Sequence, residues 1–234
     1  MKQTPFRKGL LDGLPIGLGY LSVSFAFGIF AVNSGLSAAE ASLISMTCMT
    51  SAGQLAAVPI MTRGGSALEL IVSQLVINLR YSLMSISLSQ KLGQDVRWAD
   101  RFAVAFFNTD EIFAVASSQS GQASRRYLYG LGVLPWVGWA GGTITGALAG
   151  NILPAVVTDA LGVAIYGMFI AIVVPAAKAE RPMACCVLLA VALSCLFASV
   201  PVLRQIPGGF TVILCALTAS AVMALAAPVE VEVE

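Results

Sequence analysis

Histidine is absent from this 234-residue chain, and charged residues make up only 11% of it. Without imidazole, the sequence lacks the usual general base of serine and cysteine hydrolases and a common metal ligand. The net charge is only +1, so no basic surface for nucleic acid is expected. These absences predict a protein that is not an enzyme, holds no metal or cofactor and binds no nucleic acid.

Cysteine is also scarce, and its spacing gives no sign of redox or metal chemistry. No Cys-x-x-Cys pair occurs, and all five cysteines lie inside apolar segments, at Cys48, Cys185, Cys186, Cys195 and Cys215. Cysteines in such surroundings behave as small buried hydrophobic residues.

Apolar residues are what the sequence has in excess, at 58% of the chain with a mean hydropathy of +0.87. Soluble domains carry about 25% charged residues, so the composition predicts an integral membrane protein. The basic N-terminus leads into an apolar run that Pro15 and glycines interrupt, and no small-residue cleavage site follows. We therefore expect a retained first membrane segment with a cytoplasmic leader, not a removed signal peptide.

Apolar segments long enough to cross a bilayer as helices, about 17–25 residues, recur along the chain. Pro15 falls in the first turn of the first segment, where proline is tolerated. The pattern predicts an all-α polytopic membrane protein with about six to eight transmembrane segments. The expected spans and interrupted segments are residues 14–32, 38–61, 68–90, 102–118, 127–148, 159–177, 183–200 and 209–227.

We expect a single membrane domain over residues 1–234. The dipeptide Leu14-Pro15 recurs as Leu134-Pro135, which hints at a weak two-half organisation, about residues 1–120 and 121–227. Residues 228–234 form a short acidic tail.

Two segments are interrupted by polar residues where a continuous membrane helix would not carry them. In residues 38–61 the motif Ser51-Ala52-Gly53-Gln54 lies near the middle, and we expect two half-helices meeting there, with a kinked helix as the alternative. In residues 102–118 the motif Asn108-Thr109-Asp110-Glu111 lies near the middle. That segment is either a short span or a re-entrant one.

The lysines and arginines distinguish two topologies. If both interrupted segments span, the charged stretch at residues 91–101 lies outside the cell. If both re-enter, that stretch and most other lysines and arginines lie inside, as the positive-inside rule favours. In either topology both termini are cytoplasmic.

Arg80 is the most costly residue in the apolar segments, because it lies near the middle of its span, between Asn78 and Tyr81. An arginine at the bilayer centre costs at least about 2.5–3.5 kcal/mol, so it is a functional-site hypothesis by default. We expect Arg80 to pair with Asp110 or Glu111, leaving the other carboxylate open to protonation. The alternatives are a snorkelling arginine or a static salt bridge.

Polar residues inside the membrane segments are concentrated at residues 51–54, 78–81 and 108–111. These three places should converge, because unpaired polar groups in lipid are costly. Such a site suits a zwitterionic solute: Arg80 could receive its carboxylate, and Asp110 or Glu111 could receive its ammonium or carry a proton. The expected substrate- or ion-binding residues are Ser51, Gly53, Gln54, Asn78, Arg80, Tyr81, Thr109, Asp110 and Glu111.

Several pieces of the sequence resemble the AzlC-like family of branched-chain amino acid permeases, the large subunits of two-component exporters. They are GLPIGLGY followed by SFAFG, SAGQ at 51–54, NLRY at 78–81 and TDE at 109–111. NLR and TDE, in this order and spacing, are the specific elements. Two departures occur: Tyr81 stands where histidine is common in the family, and SAGQ replaces a longer Ala/Gly-Gln-Phe run.

The resemblance implies a secondary transporter that exports valine, leucine, isoleucine and often methionine, driven by the proton-motive force. It also implies a heteromer with a small AzlD-like membrane subunit, in the bacterial inner membrane. Because histidine is absent, a coupling proton would fall to Asp110 or Glu111. The alternative, from another class, is a non-transporting membrane scaffold or sensor subunit that docks a partner protein.

Overall fold

The computed structural model describes residues 4–150 and 177–227, together with residues 156, 167, 170 and 173–175. Most of the predicted span at 159–177 lies outside the described residues, as does the acidic tail at 228–234. The described residues are helical almost throughout, which confirms the predicted all-α polytopic membrane fold.

Each described helix overlaps one of the predicted apolar segments. Four of them, α1, α4, α8 and α9, are long and apolar enough to cross a membrane. A 3₁₀ turn at Leu203–Gln205 joins α8 to α9. The helices are α1 Pro5–Asn33, α2 Ala38–Thr47, α3 Ala52–Thr62, α4 Ala67–Ser89, α5 Trp98–Phe107, α6 Asp110–Ser117, α7 Arg125–Ala149, α8 Arg181–Ser199 and α9 Gly208–Ala226.

The chain folds as two compact units, each made of two separate stretches of sequence. The first unit is Met1–Val58 with Asn78–Ile165, and the second is Pro59–Ile77 with Tyr166–Glu234. Helices α3 and α4 each contribute to both. A division into halves near residue 120 stays a prediction.

The first unit is built on α1 and α7, which touch through their glycines. A Cβ atom on Gly17 would lie 2.8 Å from the carbonyl oxygen of Leu134, so a larger residue would force the backbones apart. Such close contact is how helices associate in lipid, where burial of apolar surface gives little drive. The glycines that pack against the opposite helix are Gly9, Gly13, Gly17 and Gly28 on α1 and Gly130, Gly138, Gly142 and Gly146 on α7.

The N-terminal part of α1 differs from the prediction. The helix begins at Pro5 rather than at residue 14, so Pro15 lies in its interior and not in its first turn. The added residues are partly polar, but Gly9 and Gly13 are buried and pack against the backbone of α7. Hydropathy does not detect this stabilisation, since it comes from close backbone contact and not from apolar side chains.

The first interrupted segment is a broken helix, as predicted. Helix α2 ends at Thr47 and α3 begins at Ala52. Ser51, at the end of the break, has a φ of 50°, in the left-handed region that non-glycine residues seldom adopt. The break therefore precedes the position predicted for it, because Gly53 and Gln54 already belong to the first turn of α3.

The second interrupted segment is also broken into two helices, α5 and α6, and the residues that precede α5 lie next to the residues that follow α6. Lys91 and Gly93 precede α5, and Ala123 follows α6. The backbone N–H of Ala123 donates to the Lys91 carbonyl at 2.8 Å, and that of Gly93 donates to the Ala123 carbonyl at 2.9 Å. The N–H of Arg125 donates to the Asp95 carboxylate at 3.0 Å. The residues on the two sides of the α5–α6 pair thus meet, which is the geometry of a re-entrant segment.

The second unit contains a buried acidic residue. Glu69, only 5% exposed, lies in the first turn of α4, and its carboxylate accepts a hydrogen bond from the backbone N–H of Gly209 at 2.8 Å. The first N–H groups of a helix have no partner within the helix, and they favour a negative charge. Glu69 therefore fixes the start of α9 to the start of α4.

The glycine contact between α1 and α7 predicts opposite effects for two alanine substitutions in the same helix. Gly17→Ala should lower the stability by about 1–3 kcal/mol, because the new Cβ meets backbone of α7. Gly19 has open space around it, so Gly19→Ala should be neutral or stabilise by up to about 1 kcal/mol through helix propensity. The midpoint of thermal unfolding of the purified chain in detergent measures both, and equal shifts would contradict the close contact.

Candidate functional site

The structure brings together the two residues at the centre of the predicted site. Arg80 Nη1 lies 2.6 Å from Asp110 Oδ2, and each side chain is 47% exposed. The second guanidinium nitrogen, Nη2, donates to the hydroxyl of Tyr81 at 3.2 Å. The central carbon of the guanidinium, Arg80 Cζ, lies 4.9 Å from the centre of the Tyr81 ring. Arg80 is thus held between a carboxylate and an aromatic face.

The break between α5 and α6 explains why the carboxylates occupy this position. Asn108 and Thr109 interrupt the helix, and Thr109 adopts an extended conformation as the N-cap of α6. Asp110 and Glu111 therefore fall in the first turn of a new helix. Negative side chains are stabilised there by the helix dipole, in addition to any counter-charge.

The second carboxylate has a different partner. The hydroxyl of Tyr20, on α1, donates to Glu111 Oε2 and also lies 2.7 Å from Thr109 Oγ1. Among the described residues, Glu111 forms no ion pair. The two adjacent acids are therefore distinguished by their surroundings: Asp110 faces a cation, whereas Glu111 faces a phenol.

Gln54 belongs to a separate polar network at the junction of α2, α3 and α7. It is 2% exposed, its Nε2 donates to Ser45 Oγ at 3.0 Å, and its Oε1 accepts from Trp139 Nε1 at 3.0 Å. Thr143 Oγ1 lies 2.7 Å from Ser45 Oγ. A buried amide with both ends satisfied fixes the relative positions of the elements that it joins.

Two aromatic residues connect the network around Gln54 to the carboxylates. The rings of Tyr20 and Trp139 meet edge to face, with centres 5.4 Å apart. Trp139 donates a hydrogen bond to Gln54, and Tyr20 donates a hydrogen bond to Glu111. The two polar clusters are thus linked across the contact between α1 and α7.

The other predicted site residues lie in the same unit. Ser51 donates its backbone N–H to Gln54 Oε1 at 3.3 Å, and Gly53 is buried in the first turn of α3. Asn78 is half-buried on α4, one turn before Tyr81. A binding role for each of the nine residues stays a prediction.

Sequence reasoning missed Tyr20, Trp139, Ser45 and Thr143. Tyr20, Trp139 and Thr143 lie in segments that look like ordinary membrane helices, and their partners are far away in the sequence. Ser45 lies in the first interrupted segment, and its contacts with Gln54 and Thr143 appear only in the folded chain. A signal was present for the two aromatic residues, since a hydroxyl or indole N–H within a span needs a hydrogen-bond partner. In the part of the chain that the structure describes, no group of three or more acidic or cysteine side chains is arranged to hold a metal ion.

The ion pair predicts coupled effects of substitution at Arg80 and Asp110. Arg80→Gln or Asp110→Asn alone should destabilise the protein, because each leaves a single charge without its partner. The double variant should be more stable than the sum of the two effects implies, with an interaction energy of about 0.5–3 kcal/mol. Thermal unfolding of all three variants and the parent measures it.

The ion pair of Arg125 and Asp100 serves as a control. Arg125 Nη1 lies 3.7 Å from Asp100 Oδ2. Because its charged atoms are farther apart and Asp100 also accepts hydrogen bonds from the backbone of Arg97 and from Tyr129, this pair should couple more weakly, by at most about 1 kcal/mol. Additive effects at Arg80 and Asp110 would show that their contact does not stabilise the fold.

Comparison with known proteins places these features in a family context. A family model described as AzlC protein matches residues 15–153, a range that contains both polar clusters. A membrane protein of Archaeoglobus fulgidus is 34% identical over 77% of this chain and 80% of its own length. Inner membrane protein YgaZ of Escherichia coli is 30% identical over 78% of this chain and 76% of its own length. No solved structure matches the chain.

Proposed function

Because the chain belongs to the AzlC family, we propose that it is a secondary transporter that exports branched-chain and related apolar amino acids. AzlC proteins form a membrane transporter family and not a class of enzymes, so the chain has a membrane transport-related role. The proposed substrates are valine, leucine, isoleucine and methionine. The proposed driving force is the proton-motive force, and the proposed partner is a small AzlD-like membrane subunit.

The observation that carries the proposal is the difference between two neighbouring carboxylates at a helix break. Asp110 pairs with Arg80, and Glu111 accepts a hydrogen bond from Tyr20. A proton-coupled carrier of zwitterions needs two kinds of group: one that recognises the charges of the solute and one that takes up and releases a proton. The two carboxylates supply both within one turn of helix.

Recognition of the solute falls to Arg80 and Asp110. A guanidinium binds a carboxylate through two parallel hydrogen bonds, and half of the Arg80 side chain is accessible. When the carboxylate of an amino acid binds Arg80, its ammonium can take the place of the guanidinium beside Asp110. The exchange keeps every charge paired, so it avoids the cost of a lone charge in the membrane.

Proton coupling falls to Glu111. The titratable groups around it are Arg80 and Tyr81 on α4, Asp110 on its own helix and Tyr20 on α1. Arg80 is paired with Asp110, so a coupling proton carried by Glu111 would not require that ion pair to break. Protonation would remove the charge that attracts the Tyr20 hydroxyl, and α1 and α6 would then be held together less tightly.

The division of roles predicts different transport defects in liposomes that contain the full chain and its small subunit. Arg80→Ala and Asp110→Asn should abolish counterflow of labelled leucine, because the solute loses a charge partner. Glu111→Gln should leave counterflow measurable but remove its acceleration by a pH gradient, because the side chain no longer titrates. Asp12→Asn is the matched control, since Asp12 also accepts from a tyrosine, Tyr127, at 2.9 Å.

Asp12→Asn should respond to the pH gradient as the parent does. If Arg80→Ala and Asp110→Asn insert into the membrane and transport leucine normally, the proposed binding site is wrong. If Glu111→Gln still responds to the gradient, the coupling proton lies elsewhere.

Counterflow with and without the small subunit tests the partner. We expect saturable leucine exchange that requires both chains and is sensitive to a protonophore in cells. If efflux survives deletion of this chain while the small subunit disappears from the membrane, the chain is a scaffold and not the carrier.

A further inference from the structure

A cavity of about 480 Å³ lies in the first unit, between the C-terminal half of α4 and helix α5. Its walls are apolar and include Leu88 and Val104, which are buried, and Ile86 and Phe102, which are exposed at its opening. Pockets for small molecules have volumes of about 300–1,000 Å³ and walls of this kind, with few polar groups. The cavity is therefore large enough for an amino acid with an apolar side chain.

One end of the cavity is polar and contains an acceptor without a donor. Asn108, 4% exposed, lines this end, and its Nδ2 donates to Ser85 Oγ at 3.1 Å. Its Oδ1 is buried and accepts no hydrogen bond from any described residue. Because buried carbonyl oxygens are nearly always hydrogen-bonded in folded proteins, this oxygen can accept a hydrogen bond from a donor in the cavity, such as the N–H group of a ligand.

The polar end of the cavity lies beside the candidate site. Asn108 precedes Asp110 by two residues, at the break between α5 and α6. Ser85 follows Tyr81 by one helical turn on the same face of α4. A ligand whose charged groups lie at Arg80 and Asp110 can therefore extend an apolar group between α4 and α5.

We infer that this cavity binds the side chain of the exported amino acid, and that Asn108 Oδ1 accepts a hydrogen bond from its ammonium group. The inference rests on the proposed function and adds the specificity determinant to it. An ammonium has three N–H donors, so it can bind Asp110 and Asn108 together. The apolar walls then select leucine, isoleucine, valine and methionine over amino acids with polar side chains.

An acyl chain of a lipid is the other occupant with suitable chemistry, since Trp98 and Arg101 also line the cavity, toward the N-terminal end of α5. A headgroup at Arg101 would direct the hydrocarbon chain toward Asn108. The amide oxygen would then face methyl groups and remain without a donor. The position of the unpaired acceptor thus favours an amino acid.

Filling the cavity tests the inference. Ala105 lines the cavity and Ala99 does not, although both are exposed alanines of α5. Ala105→Phe should weaken the binding of radiolabelled leucine to the full chain, purified together with its small subunit, by about tenfold or more, and the binding of alanine by less. Ala99→Phe is the matched control and should bind leucine as the parent does.

A second pair of variants tests the hydrogen bond to the ammonium. Leucine should bind the parent better than 4-methylpentanoate, which is leucine without its amino group. Asn108→Leu should reduce this preference severalfold, since Asp110 still binds the ammonium, and Asn108→Asp, which keeps an acceptor at the same place, should retain it. The ratio of the two affinities is measured within each variant, so it does not depend on how much protein folds.

The outcomes separate the inference from the proposed function. If the parent with its small subunit neither binds nor exchanges leucine, the proposed function is wrong and the inference with it. If the parent binds leucine and Ala105→Phe binds it equally well, the function stands and the inference is overturned. Selective loss of a retained lipid from Ala105→Phe, with leucine binding intact, would likewise overturn it and assign the cavity to an acyl chain.

Discussion

The ion pair between Arg80 and Asp110 is the interaction on which the arrangement of the candidate site depends. A guanidinium within an apolar helix requires a counter-charge, because its transfer into lipid costs at least about 2.5–3.5 kcal/mol. The carboxylate that meets this need lies at the start of a helix, where the backbone N–H groups also stabilise it. The break between α5 and α6 creates that helix start, so the break places the carboxylate that neutralises Arg80 of α4.

Close packing of α1 against α7 supplies the other half of the site. Glycines let the two backbones touch, and the rings of Tyr20 and Trp139 consequently meet across the contact. Trp139 satisfies the buried amide of Gln54, and Tyr20 satisfies Glu111. The helix break in residues 38–61 and the helix break in residues 102–118 are thus anchored to the same pair of helices. A shift of α1 along α7 would affect both.

Polar groups of three kinds meet in this region, and each has a distinct chemical capacity. We propose that the pair of Arg80 and Asp110 exchanges its partners for the two charges of a zwitterion, and that Glu111, which lies outside this pair, carries the coupling proton. Asn108 offers a buried acceptor at the end of an apolar cavity. Together they describe how a membrane protein without histidine could bind an apolar amino acid and couple it to a proton.

The sequence by itself determined the class of protein, the helical segments, the two broken helices and the need for a counter-charge to Arg80. These follow from composition and from the free-energy cost of placing polar groups in lipid, and both can be read from local sequence alone. Tertiary structure decided that Asp110 and not Glu111 meets Arg80, and that Glu111 meets Tyr20. It also decided that α1 begins at Pro5, because contacts with α7 stabilise a segment whose hydropathy is low. Adjacent residues point in different directions from a helix, so only the packing of α1 and α4 around α6 assigns a partner to each carboxylate.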